Sequence, residues 1–205
     1  MIHVHEDYAD EKMKSAYAYG RMDKVMEAFN MAGFPDLIDL EDEAYIRIHA
    51  PLTNPTIKNG NIVKNVILSI PDSHGPRSYL SNNFDDHIFA HKFHKRNPPY
   101  YVTEKQADKC FEDAIEITSD SLVMKTNSLD AYPAARSAFG FQTSSYGNYL
   151  FDLGIFELLI LVSPKNERQP YINPIWFADV PHSKSAIDGE WFRGHLNFRI
   201  RGVKK

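Results

Sequence analysis

The sequence predicts a single α+β domain over residues 1–205, built on a mostly antiparallel sheet. Three observations predict it. Apolar and polar residues alternate over 44–50 and again over 191–203, the period of a half-buried strand. Apolar residues at intervals of three and four run through 10–32, and a second helical stripe follows Thr103. No repeat, low-complexity tract or Gly/Ser-rich linker divides the chain. Its 205 residues are 43% hydrophobic and 24% charged, the composition of a folded chain rather than a disordered one.

Taken in order, Met13, Ala16, Tyr17, Met22, Val25, Met26 and Phe29 predict a helix over 10–32, closed by Gly33 and followed by Pro35. Residues 36–43 read as an acidic, solvated connector. In 44–50, Ala44, Ile46 and Ile48 face one way and Tyr45, Arg47 and His49 the other, which predicts a strand. Two prolines and an Asn-Gly pair make 51–61 a loop, and 62–70 is apolar on both faces, as a central strand is. These two strands are placed to pair as a hairpin. A turn covers 71–76, and 83–94 fits a short helix ended by Asn97-Pro98-Pro99. Thr103 with Gln106 fits a capping box, opening a helix to about residue 117 on the stripe Ala107, Cys110, Phe111, Ala114 and Ile115. A short strand is expected at 121–125 and an ordered, aromatic loop region at 126–148. Residues 149–163 fit a buried strand pair or a helix, with Asp152-Leu153-Gly154 and Pro164 favouring strand, and a proline-rich loop over 164–174 and a strand at 175–180 follow. Asp188-Gly189 is a turn signal. In the final strand, Phe192, Leu196, Phe198 and Ile200 share one face, and Arg193, His195, Asn197, Arg199 and Arg201 the other.

The formal charge of −4 and the isoelectric point near 6.1 give no global case for a nucleic-acid or anionic-membrane partner. No apolar run approaches the ~18 residues of a membrane span. One cysteine rules out an internal disulfide framework. The N-terminus lacks the pattern of a secretory signal, so synthesis in the cytoplasm is expected. Distribution matters more than the sum. Residues 1–43 hold eleven acids against four bases, whereas 191–205 hold five bases and no acid. Opposite charge at the two ends suits head-to-tail contacts between identical subunits, which close into rings. The candidate interface residues are Asp39, Asp42 and Glu43 on the acidic side, and Arg193, His195, Arg199 and Arg201 on the basic side.

Candidate chemistry is sparse. His87, His91 and His94 share a helix face, and an i, i+4 pair can chelate zinc. The third histidine would lie about 10 Å along the axis from the first, at 1.5 Å per residue. Lys92, Lys95 and Arg96 oppose a cation, and the glutamate of H-E-x-x-H is missing. No metal is therefore expected; if one binds, His87 and His91 are its ligands. His3 and His5 form an H-x-H that reads as a polar chain end. The acidic run at 36–43 lacks EF-hand spacing. Phosphate-binding glycine loops and a G-x-S-x-G elbow are absent. No catalytic residue and no cofactor is expected.

The Asp188-Gly189 turn with WFRGHLNFRIRG (191–202), together with the early hairpin and its long loop, resembles tailed-bacteriophage virion proteins of the tail and neck. The resemblance covers about a third of the chain. It implies a structural subunit of a ring or tube, located in the virion, with protein neighbours on both faces and no catalytic residues. Two rival classes stand beside it. One is a small metal-dependent hydrolase or nuclease drawing on His87, His91, Asp179, His182, Asp188 and His195. The other is a monomeric, inhibitor-like protein that binds a partner by surface complementarity.

Overall fold

The structure is a computed structural model that describes residues 2–54, 60–82, 100–165, 167–180, 184–189 and 198–205. It is α+β, with one mostly antiparallel sheet of twelve strands and five α-helices among the described residues. The strands run β1 (His5–Ala9), β2 (Lys14–Gly20), β3 (Asp36–Leu37), β4 (Asn61–Ile70), β5 (Arg77–Ser81) and β6 (Tyr100–Tyr101), then β7 (Ile115–Glu116), β8 (Val123–Lys125), β9 (Glu157–Leu161), β10 (Tyr171–Val180), β11 (Lys184–Asp188) and β12 (Phe198–Lys204). The helices are α1 (Met22–Ala32), α2 (Leu40–His49), α3 (Glu104–Phe111), α4 (Pro133–Phe139) and α5 (Thr143–Asp152).

The sheet path is β1-β2-β12-β4-β10-β11-β9-β8, with β5 also paired to β4. β4 lies at its centre because its residues are apolar on both faces. Val63 and Ile67 enter one core with α2, α4 and α5, while Ile62, Val66 and Leu68 enter a second with α1 and α3. A helix layer thus covers each face. Pro174 cannot donate to the ladder, and the register with β4 shifts immediately after it, at Ile175, so the proline is absorbed by a bulge. β12 pairs with β2 along its whole length, from Phe198↔Gly20 to Lys204↔Lys14, which brings the two ends of the chain together.

Several expected elements are realised. The capping box is complete, with the Gln106 N–H donating to Thr103 Oγ1 and the Thr103 N–H to Gln106 Oε1. Its helix stops at Phe111, however, and Ile115 pairs in β7. Gly33 ends α1 with φ 83°, its N–H reaching Asn30 O while the Phe34 N–H reaches Phe29 O, a Schellman closure. The strands expected at 62–70, 121–125 and 175–180 are β4, β8 and the second half of β10. The helix expected at 83–94 lies outside the described residues.

Five expectations are corrected. The segment 10–32 is not one helix: its first half is β2 and only Met22–Ala32 is helical. KSAYAYG has period two, with Ala16 and Ala18 inward under Met22, Val25 and Phe29 of α1. Those small residues also satisfy a helical spacing, and the sheet won because β12 offers a full ladder. The segment 44–50 is the second half of α2 rather than a strand, so no hairpin joins it to β4. Its neighbour 36–43 is not a solvated connector but the short strand β3 followed by the cap and first turn of that helix. Within 126–148, expected as loop, α4 starts at Pro133, a favoured first position, and α5 buries Thr143, Tyr146, Gly147 and Leu150 at helical spacing. The strand expected over 149–163 is divided: α5 runs to Asp152 and β9 begins at Glu157.

Candidate functional site

The acidic and basic ends of the chain meet inside the molecule. On β12 the odd-numbered residues face α2, so Arg199 and Arg201 point into the layer below the sheet rather than into solvent. On α2 the buried residues are Leu40, Asp42, Glu43, Ala44, Ile46 and Arg47, and three of these six are charged. Arg201, Arg47 and Glu43 are 0% exposed and Arg199 3%.

Their geometry is that of an internal charge network. Arg201 grips Asp7 of β1 with both terminal nitrogens, Nη1 on Oδ1 and Nη2 on Oδ2, the latter at 2.7 Å. The fork matches a carboxylate, the strongest form of a charged hydrogen bond. Ser15 Oγ accepts from Arg201 Nη1 at 2.7 Å and donates to Asp7 Oδ1 at 3.0 Å. Arg47 Nε donates to Glu43 Oε2 at 3.3 Å, one helical turn away, and Arg201 Nε lies 3.8 Å from Glu43 Oε1. Arg199 Nη2 stands 3.9 Å from Asp7, and its guanidinium lies 4.4 Å from the centre of the Tyr17 ring. Arg47 stacks at 4.8 Å on Phe177, which joins the charges to the aromatic cluster of Phe139, Tyr146 and Phe177. Burial pushes Glu43 up, against the pull of Arg47, Arg201 and Arg199. Burial, then the field of Arg201, pulls Arg199 down.

A second cluster ties the C-terminus to the start of α2. Asp39 caps the helix by accepting from the Asp42 N–H at 2.8 Å, and Lys64 Nζ lies 3.3 Å from it. Lys205 Nζ reaches Asp42 at 2.8 Å and Asp39 at 3.9 Å. Nearby, Asp10 accepts from the hydroxyls of Tyr8 and Tyr45, each at 2.6 Å, and from the N–H groups of Lys12 and Met13. Burial opposes ionisation there, but these four hydrogen bonds hold the Asp10 carboxyl well below the usual carboxylate range.

Of the residues expected at a docking interface, Arg199, Arg201, Asp39, Asp42 and Glu43 are therefore gathered into contacts within the chain. Asp42, Glu43, Arg199 and Arg201 are buried. The basic face of the last strand is interior at Arg199 and Arg201, because the strand is flanked by β2 and β4 and covered by α2. Arg193 and His195 lie outside the described residues, as do His87, His91 and His182. Asp179 and Asp188 sit on paired strands but opposite Ser185 and Trp176 respectively, about three residues apart along the hairpin and so about 10 Å. Among the described residues, no group of three or more His, Cys, Asp or Glu is placed to hold a metal ion. His3 and His5 have ring centres 6.4 Å apart, and His5 stacks on Tyr17. Cys110 is a buried core residue whose thiol burial pushes up to about 11, the reverse of an activated nucleophile.

On the surface, one corner is formed where α2 meets the turn between α4 and α5, in the stretch expected as loop. A concavity of ≈ 310 Å³ is lined by Glu41, Asp130, Arg136, Gly140, Phe141, Thr143 and Ser144. Gly140, between α4 and α5, takes φ 48°, and a Cβ there would stand 2.5 Å from a Glu41 oxygen. Glycine is thus required twice over, for the turn and for the approach of the carboxylate. Glu41 Oε1 accepts the Phe141 N–H at 3.0 Å, and Phe141 itself is 99% exposed. Ser144 Oγ donates to Asp130 Oδ2 at 3.4 Å, and Arg136 Nη1 donates to the Asp130 carbonyl.

No family model matches this chain, and no curated protein matches it. It is similar to a solved structure from work on how the C-type lectin fold accommodates massive sequence variation in Nanoarchaeota. The likeness covers 94% of this chain and 98% of the other, with a TM-score of 0.70 and 9% sequence identity. At that identity it is a likeness of fold.

Proposed function

We propose that this chain is a non-enzymatic binding protein, a C-type-lectin-fold scaffold that presents surface side chains to a partner macromolecule. The observation that carries the reading is Phe141, 99% exposed on a glycine-held corner above a concavity. Leaving a phenyl ring in water forgoes about 1.5–3 kcal/mol of burial. A partner that covers it recovers that term, and aromatic anchors of this kind dominate interface energetics. The fold supports the same reading. The nanoarchaeal structure concerns a fold that accommodates massive sequence variation. Here the chain ends are locked from within by Asp7, Glu43, Arg47 and Arg201, which leaves surface residues free to differ without cost to the core.

Membership of a phage tail or neck ring is a narrower form of this proposal. It rests on the opposite charge of the two chain ends, and those charges are largely engaged with each other inside the chain. Binding to a different partner is therefore favoured over head-to-tail self-association. The test is selection of a random peptide display library on the folded protein. Convergent sequences that lose binding to a surface variant of unchanged thermal midpoint are expected. Selection without convergence overturns the reading, and a concentration-independent ring by light scattering moves it to the virion form.

A further inference from the structure

We propose that the concavity beside Phe141 receives a basic side chain, lysine or arginine, from a partner polypeptide. This rests on the binding-protein reading and supplies its ligand chemistry.

Two carboxylates, Glu41 and Asp130, line the space against one guanidinium, Arg136. Each carboxylate is oriented by the fold. Glu41 is held by the Phe141 N–H and by the bare α-carbon of Gly140, and Asp130 by Ser144. A carboxylate offers about four acceptor positions, so one hydrogen bond leaves capacity for an incoming donor. Arg136 offsets part of this field and leaves an excess of one negative charge in the lining. Its Nη1 is spent on the Asp130 carbonyl oxygen, and no ion pair among the described residues joins it to Glu41 or Asp130. Lys205 and Lys64, near the start of α2, are engaged by Asp42 at 2.8 Å and by Asp39 at 3.3 Å respectively.

Phe141 completes the chemistry. A ring face attracts a cation, and the methylene stem of lysine or arginine covers the ring while its head reaches a carboxylate. Other partners fit worse. An acidic segment meets two like charges. An apolar one strips water from two carboxylates and gives them no donor in return.

The probes are oligo-arginine and oligo-lysine peptides, with oligo-glutamate as control, titrated at low ionic strength against the parent and three variants. Phe141→Ala removes the ring, and because that side chain is almost wholly exposed the fold is unaffected. Asp130→Asn removes one charge. Asp108→Asn, on α3 across the sheet, removes an exposed charge far from the concavity. The basic peptides are expected to bind the parent and the oligo-glutamate not. Phe141→Ala and Asp130→Asn should each weaken binding roughly threefold to tenfold, with Asp108→Asn unchanged. Equal affinity in parent and Phe141→Ala, equal effects of Asp130→Asn and Asp108→Asn, or no binding of the basic peptides each overturns the site. If display selection still yields binders that map elsewhere, the binding-protein reading stands and only this site falls. If selection also yields none, both fall.

Discussion

Arg201 shows how far a residue's role depends on its neighbours. In the sequence it is one of five bases near the C-terminus, on an alternating strand. In the structure it is fully buried, with a carboxylate in its fork and a serine hydroxyl beside it. A buried pair of this kind adds little net stability over an apolar substitute, but losing one partner leaves a bare charge in the core. Asp7→Asn should therefore cost about 3–5 kcal/mol in urea unfolding. A cost below about 1 kcal/mol, the range of exposed pairs, would show that water reaches Arg201. Asp42 makes a different prediction. Burial and the adjacent Asp39 carboxylate push it up to about 6, against the pull of Lys205. An unfolded aspartate titrates near ~3.9, so between those values the folded chain binds more protons than the unfolded one. The contribution of this group is full below about pH 4 and is lost as pH rises to about 6. Asp42→Asn should flatten the fall in stability over that interval, by at most about 1.4 kcal/mol per pH unit. Parallel curves for parent and variant would show that Asp42 titrates alike in both states.

At the scale of elements, α2 is the instructive case. Its N-terminal signals are plain in hindsight: Asp39 as cap, then Glu41, Asp42 and Glu43 in the first turn, where the helix dipole favours acids, and Arg47 and His49 in the last. The apolar pattern hides them. Ala44, Ile46 and Ile48 alternate as in a strand, because three of the six buried places on the helix are taken by Asp42, Glu43 and Arg47. Periodicity counts a charged residue as exposed, so it misplaces any element that buries an ion pair. α1 behaves oppositely, since its terminus was legible. At Gly33 a Cβ meets nothing within 4 Å, so a substitution there tests the backbone alone. Gly33→Ala should cost about 1 kcal/mol through its positive φ, read as a lower thermal midpoint. A neutral result would mean that the α1 terminus relaxes out of its Schellman closure.

For the whole molecule, the question is where the complementary charges of the two chain ends are satisfied. β12 lies between β2 and β4, and Asp7, Glu43, Asp39 and Asp42 reach Arg201 and Lys205 within one chain. Arg201→Glu should thus lower the thermal midpoint by the same amount at low and high protein concentration. If the pairing were between subunits, mass action would make the loss depend on concentration. The sequence by itself determined the fold class, the central β4, the capping box before α3 and the glycine end of α1. Each of these depends on near neighbours in the chain, or on a run apolar enough to be buried whatever it meets. The split of 10–32 into strand and helix, the helical state of 44–49, the interior place of Arg199 and Arg201, and the corner that exposes Phe141 were decided only by tertiary structure. In each, the free energy comes from groups distant in sequence: Asp7 meets Arg201 and Glu41 meets Gly140 and Phe141, and no local pattern records such a pairing.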